Sequence, residues 1–181
     1  VDEIVKLRKA APAKIFVEVA RDSSQKLKGK RTESRKDKLL ELYKACKKDS
    51  QLLAQMCISD AEMKDLTKHL ESEEESHLRS ERLYLYYTQF GRCMYSGEPM
   101  DLASVMRGER YDRDHIFPRS RIKDDSLSNL VLVKNELNRE KKNTYPIDDN
   151  IRQRMIPFWK LLKDKGLISE KKYSRLVRST P

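Results

Sequence analysis

The stretch that most limits how this chain can fold runs from Tyr111 to Lys142, YDRDHIFPRSRIKDDSLSNLVLVKNELNREKK. Tyr111 to Phe117 reads as a strand, and Pro118 ends it, because proline has no N–H to give to a ladder. Arg119 to Ser128 is polar and reads as a loop. Leu130-Val131-Leu132-Val133 is a short apolar run of the kind that makes a second, buried strand. Asn135 is placed to cap a helix that carries Asn138 and runs to about Lys142. The order is strand, loop, strand, short helix, and the rest of the chain must be whatever packs around it.

The same stretch holds a set of groups that chemistry can use together. Hydrolysing a phosphodiester needs an activated water, neutralised charge on the phosphoryl oxygens and help for the leaving oxygen. A divalent ion held by a carboxylate and a neutral amide meets the last two needs, and Mg²⁺ suits oxygen ligands of this kind. An imidazole can take the proton of the water. Asp114, Asn138 and His115 supply the three parts. Taken singly, they read as a charged strand end and a polar residue at a helix start; taken together on this frame, they favour a one-metal nuclease site. Neighbours on a regular strand point to opposite faces, so the strand has to twist or end at Asp114–His115 for both to serve one phosphate. Asp112 shares a face with Asp114 and is the alternative ligand.

The charge balance agrees with a polyanionic partner. Lysine and arginine number 39 against 29 aspartates and glutamates, a formal +10, and such an excess favours nucleic acid or an anionic membrane face. No apolar run approaches the ~18 residues of a membrane-spanning helix, and no signal peptide is expected at the start, so a membrane role is not expected. Cys46, Cys57 and Cys93 are odd in number and scattered, which reads as reduced thiols of a cytoplasmic protein without a disulfide framework.

Along the rest of the chain, Lys14 to Ala20 (KIFVEVA) reads as a strand in which Glu18 shares a face with apolar side chains. Asp2 to Ala10 reads as a short helix stopped by Pro12. Residues 22–38 form a basic connector that turns helical from about Thr32 or Ser34, and Leu39, Leu42, Tyr43 and Cys46 make one helical stripe. Leu52 to Ile58 is a further short helical run. Ser59 and Glu62 have the spacing of a capping box, with Met63, Leu66 and Leu70 behind them. His69 and His77 lack ligand-spaced neighbours and read as surface residues. Leu83, Tyr86, Tyr87 and Phe90 define a core-facing helix over Arg79 to Phe90 stopped by Gly91. Cys93 to Pro99 reads as a turn, Asp101 or a neighbour as the cap of a short helix over Leu102 to Arg107, and Gly108 as its end. After Tyr145-Pro146, Asp148 or Asp149 caps a helix with Ile151, Met155, Trp159 and Leu162 on one face, which Pro157 should kink or restart. Gly166 closes it, and Ser169 caps a last helix carrying Tyr173 and Leu176.

YDRDHIFPRS, KDDSLSNLVLV and NELNREKK resemble the HNH nuclease family, and within it the HNH domain of the CRISPR-associated type II RNA-guided endonucleases, the Cas-nine family. LYLYYTQFGRCMYSGEPMDL resembles the helix and turn that precede that motif. KIFVEVAR resembles the second RuvC-type segment of the same effectors. The resemblance implies a mostly helical α+β fold: a compact ββα-metal core with helices on both sides and a short N-terminal strand. It implies a division into a RuvC-type segment at 1–21, the connector at 22–38, the HNH domain at 39–165 with its core at about 111–142, and a C-terminal helix and linker at 166–181.

By position, the resemblance makes His115 the general base, Asp114 and Asn138 the metal ligands and Asn129 a support for the loop. Glu18 matches a metal ligand of a different active site whose other acids are absent here, so it has no catalytic role in this chain. The neighbouring cations Arg119, Lys123, Arg139 and Lys141 are the expected nucleic-acid contacts; the role of Arg113 stays open. Mg²⁺, with Mn²⁺ as a substitute, is the implied cofactor. Zinc is not expected, because the paired CxxC motifs of many HNH nucleases are missing. The implied partners are a target DNA strand paired to guide RNA and the RuvC-type and recognition parts of a larger bacterial, cytoplasmic effector, the chain itself being monomeric. A non-catalytic nucleic-acid-binding or regulatory module is the alternative.

Overall fold

The computed structural model of the chain describes residues 6, 7, 9, 33–49, 53, 54 and 58–180. The chain divides into two compact units, Val1–Thr32 and Glu33–Pro181. In the first, the described residues are Lys6, Leu7 and Lys9. The strand expected at Lys14 to Ala20, with Glu18, lies outside the described residues. So do connector residues 22–32, Cys57 and most of the run from Leu52 to Ile58. The second unit is a mostly helical α+β fold built on a small antiparallel sheet.

Side-chain caps fix the starts of three of the early helices. Helix α1 (Arg35–Lys47) begins on Ser34, whose hydroxyl accepts from the Asp37 N–H at 3.0 Å. It therefore starts inside the expected connector. Helix α2 (Asp60–Ser72) opens with a complete Ser59–Glu62 capping box; such a cap stabilises a helix by ~1 kcal/mol by satisfying N–H groups left over at its first turn. A 3₁₀ turn at His77–Arg79 then precedes α3 (Glu81–Thr88). The short helix α4 (Leu102–Arg107) is capped by Asp101 and ended by Gly108 in the left-handed conformation.

α3 is shorter than the sequence pattern suggests. Leu83, Tyr86, Tyr87 and Phe90 are all buried as expected, but the helix stops at Thr88 and Phe90 adopts φ +52°. Burial of its ring, stacked 5.0 Å from Tyr43, offsets the cost of a left-handed backbone at a non-glycine residue. Gly91 follows at φ +63°, where a Cβ would lie 2.9 Å from the Tyr86 hydroxyl. Glycine is required there by both conformation and space.

Strands β1 (Tyr111–His115) and β2 (Leu130–Lys134) pair antiparallel, with Asp112 opposite Val133, Asp114 opposite Val131 and His115 opposite Leu130. β1 ends at His115, before the residues Ile116 and Phe117 that the sequence pattern includes. The outer edge of β2 is closed by a side chain: Gln89 accepts from Leu132 N at 2.8 Å and donates to Leu132 O at 2.9 Å. A fully buried amide thus takes the place of a third strand at Leu132.

β2 runs straight into α5 (Asn135–Lys141). Asn135 was expected to cap this helix. Instead Lys134, the last ladder residue, holds the cap position, and Asn135 is the first helical residue. The strand leaves no spare residue before the helix, so the turn is made one position earlier. Helix α6 (Asp149–Asp164) starts on Asp148 and continues through Pro157 without restarting. An internal proline costs ~3 kcal/mol, and the buried Met155, Trp159 and Leu162 on either side of it offset that cost. Helix α7 (Glu170–Val177) starts on Ser169 and packs on α6. No described helix is long and apolar enough to cross a membrane.

Candidate active site

The two-residue period of β1 sorts its side chains. Asp112 and Asp114 lie on the face covered by α5, while Arg113 and His115 lie on the other. From α5, Asn138 Nδ2 donates to Asp112 Oδ2 at 3.3 Å. One turn on, the Lys141 ammonium lies 2.9 Å from Asp114 Oδ2 and donates to the His115 carbonyl oxygen at 2.8 Å. Lys141 was expected at a nucleic-acid surface. It is instead buried, because its ammonium has two oxygens to satisfy beneath the sheet.

Asp114 is buried too, and a second group reaches it. The Tyr95 hydroxyl donates to Asp114 Oδ2 at 2.6 Å. Burial, reinforced by the adjacent Asp114 carboxylate, raises the Tyr95 hydroxyl well above its ordinary range, so it stays a donor. Tyr95 sits in the turn from Cys93 to Pro99, which is pinned from α6: Trp159 Nε1 donates to Met94 O at 2.9 Å and Arg154 to Tyr95 O at 3.1 Å. Two side chains of α6, buried Trp159 and exposed Arg154, thereby set where a hydroxyl meets Asp114.

On the other face, the His115 ring lies in a surface pocket of 310 Å³ lined by Glu81, Arg113, Arg119, Asp125 and Leu130. Its Nε2 is 2.8 Å from Asp125 Oδ1, and Arg119 reaches the second oxygen of that carboxylate at 3.3 Å. Arg113 pairs with Glu81. The structure therefore does not bring the side chains of Asp114 and His115 onto one face; it puts His115 at the last position of β1, where the strand is already ending.

The loop from Arg119 to Ser128 is held from beneath by Asn129, which is fully buried. Its Oδ1 accepts from Phe117 N at 2.9 Å, and its Nδ2 donates to Phe117 O at 3.1 Å and to Asp124 O at 2.9 Å. Asp124 in turn accepts from Arg175 of α7 at 2.7 Å. Hydrogen bonds from Ser126, then from Arg175, hold the Asp124 carboxyl well below the usual carboxylate range. Arg119, Lys123 and Arg139 are exposed around this site.

The oxygens of Asp112, Asp114 and Asn138 are hard donors, and hard donors suit Mg²⁺ or Mn²⁺. Because the Asn138 amide nitrogen is committed to Asp112, its carbonyl oxygen is the atom left to bind a cation. Among the described residues, no three His, Cys, Asp or Glu side chains are grouped so as to hold a metal ion by themselves. The donor set on this face is carboxylate plus amide, which fits a hard divalent ion. Cys46 and Cys93 are buried free thiols.

Sequence reasoning missed Tyr95, Asp125 and the buried role of Lys141. Nothing periodic marks Tyr95, which comes from a turn, and Asp125 stands in a polar run where one acid looks like another.

Comparison with known proteins adds a family to this geometry. Residues 93–147 match the family model described as HNH endonuclease. Over 180 residues the chain is 37% identical to the CRISPR-associated endonuclease Cas9 of Listeria innocua, covering 99% of this chain and 12% of that protein. It is 34% identical over 180 residues to the Cas9 of Streptococcus mutans, with the same 99% and 12% coverage. It is 36% identical over 106 residues to that of Staphylococcus aureus, covering 54% of this chain and 10% of the relative. The chain thus spans 12% of the length of the first two relatives.

Proposed function

The chain belongs to the HNH endonucleases, in the form carried by Cas9 proteins, and we propose that it hydrolyses phosphodiester bonds of a DNA strand paired to a guide RNA. The observation that carries this reading is the meeting of Asp112 with Asn138 at 3.3 Å beside an Asp114–His115 strand end. It places oxygen donors and an imidazole on either side of one short strand.

In this reading, Asp114, Asn138 and Asp112 would hold Mg²⁺ or Mn²⁺. When bound, the ion would supply positive charge to the phosphoryl and leaving oxygens. The protein's own groups do the rest. His115 accepts the proton of the attacking water. Lys141 and Tyr95 orient Asp114 through its Oδ2. Asn129 fixes the loop that borders the imidazole. The exposed cations Arg119, Lys123 and Arg139 contact the backbone of the hybrid without reading its sequence, which base pairing to the guide does instead. In this reading the chain acts as a segment of a larger effector that delivers the strand, as its likeness to a 12% segment of two much longer relatives supports.

The test is nicking of the DNA strand of an RNA–DNA hybrid by the full-length protein, with Mg²⁺ or Mn²⁺, and with His115→Ala as control. The variant is expected to keep hybrid binding and lose cutting of that strand. Undiminished cutting of the guide-paired strand by His115→Ala would refute the assignment.

A further inference from the structure

A carboxylate accepts hydrogen bonds and donates none. With Nε2 of His115 at 2.8 Å from Asp125 Oδ1, the hydrogen of the neutral ring sits on Nε2, and Nδ1 keeps the lone pair. We propose that Asp125 is a positioning residue for His115: it fixes the ring orientation and leaves Nδ1 as the nitrogen that takes the proton of water. The proposal rests on His115 being the base, and goes further by naming what aims it and which atom acts.

The surroundings of Asp125 explain how an exposed carboxylate can hold a ring in place. Its second oxygen is engaged by Arg119 at 3.3 Å, which limits rotation of the carboxylate. Its backbone is bracketed on the N-terminal side by Asp124, tied at three points. The Asp124 carbonyl accepts from Asn129 at 2.9 Å, and its carboxylate accepts from Ser126 N at 2.9 Å and from Arg175 at 2.7 Å. The Arg175 guanidinium also lies over the Phe117 ring, 5.2 Å from its centroid. On the strand side, the His115 carbonyl is held by Lys141 and Ile116 N donates to Asn129 O at 2.8 Å. Both the backbone of His115 and the loop that reaches its ring are therefore fixed to the same frame. Asp125 closes the gap between them.

This arrangement gives α7 a role at the site. Arg175 does not touch His115, but it anchors the residue next to the one that does. Loosening Arg175 should loosen Asp125 without removing it.

The experiment reads the ring directly. In the 181-residue chain, two-bond ¹H–¹⁵N correlation of the His115 imidazole should show the tautomer with hydrogen on Nε2. Asp125→Ala should shift the pattern toward a mixture of tautomers, whereas Asp125→Asn, whose amide oxygen still accepts, should keep it. Arg175→Ala should fall between wild type and Asp125→Ala. In the full-length protein, Asp125→Ala should lower kcat by about 10- to 100-fold with KM unchanged, the size expected when a reacting group is misaligned. A wild-type ring with its hydrogen on Nδ1, or an Asp125→Ala ring indistinguishable from wild type, overturns the proposal. Those results leave the base assignment standing if His115→Ala still abolishes cutting. Survival of cutting in His115→Ala overturns the base assignment itself, whatever the ring shows.

Discussion

Asn129→Ala should cost more than the volume of its side chain would suggest. The residue is fully buried and makes three hydrogen bonds, at 2.9, 3.1 and 2.9 Å. At ~1 kcal/mol for each bond, their loss amounts to ~3 kcal/mol, with one N–H and two carbonyls left to find new partners. Asn129→Asp is the sharper test, because it has the same shape. It keeps an acceptor for Phe117 N but replaces the two N–H donors with an oxygen facing two carbonyl oxygens. If hydrogen bonding is what Asn129 contributes, Asp should be at least as damaging as Ala; if it merely fills space, Asp should be tolerated. Urea unfolding followed by circular dichroism gives the comparison, read as a shift in midpoint at constant slope. Hydrogen exchange at the Phe117 amide should accelerate in both variants. An Asn129→Asp chain as stable as wild type, or an Asn129→Ala cost well under ~1 kcal/mol, would refute the account of how the loop is held.

Lys172 offers a pH-dependent test away from the site. It is 3% exposed, and burial lowers its ammonium from 10.5 to about 7. The unfolded chain then holds a proton that the folded chain has released, so stability should rise between pH 7 and about 10.5. A shift of roughly 3.5 units corresponds to ~5 kcal/mol across that range. Lys172→Met should be more stable than wild type at pH 7, with the difference shrinking as pH rises; a constant difference in urea titrations at pH 7 and 9.5 would show that the ammonium reaches water. Tyr95→Phe removes the hydroxyl from Asp114 Oδ2 and should lower stability by ~1.5–3 kcal/mol, the range for a bond to a charged group. Thermal unfolding measures it, and an unchanged Tm would mean that Lys141 alone satisfies the carboxylate.

What could be read from the sequence was what local chemistry decides. Ser59, Asp101 and Ser169 cap the helices they were expected to cap, because capping depends on residues a few positions away. The stripe through Leu83, Tyr86, Tyr87 and Phe90 is buried for the same reason. The order of two strands and a helix between Tyr111 and Lys142 was legible from breakers and periodicity. Contacts between distant segments were not. Gln89 meets Leu132, Tyr95 meets Asp114 and Arg175 meets Asp124 across 43, 19 and 51 positions. No local pattern distinguishes these polar residues from solvated ones. Lys141 is the sharpest case, since a lysine in a charged helix reads as surface until something beneath the helix is found to need it.

On the proposed reading two adjacent residues serve one phosphate, and the way α5 lies on β1 couples them. Asp112 and Asp114 are two residues apart on a strand, ~6.6 Å. Asn138 and Lys141 are three apart on a helix, ~4.5 Å along its axis. The shorter helical step is made up by side-chain length: the amide reaches Asp112 directly, and the longer lysine extends to Asp114 and on to the His115 carbonyl. One ammonium therefore touches the acid on one face and the backbone of the histidine whose ring belongs to the other. The two faces need not merge for the two residues to act together. They share Lys141, so a shift of α5 along the strand would move the carboxylate and the histidine backbone in concert.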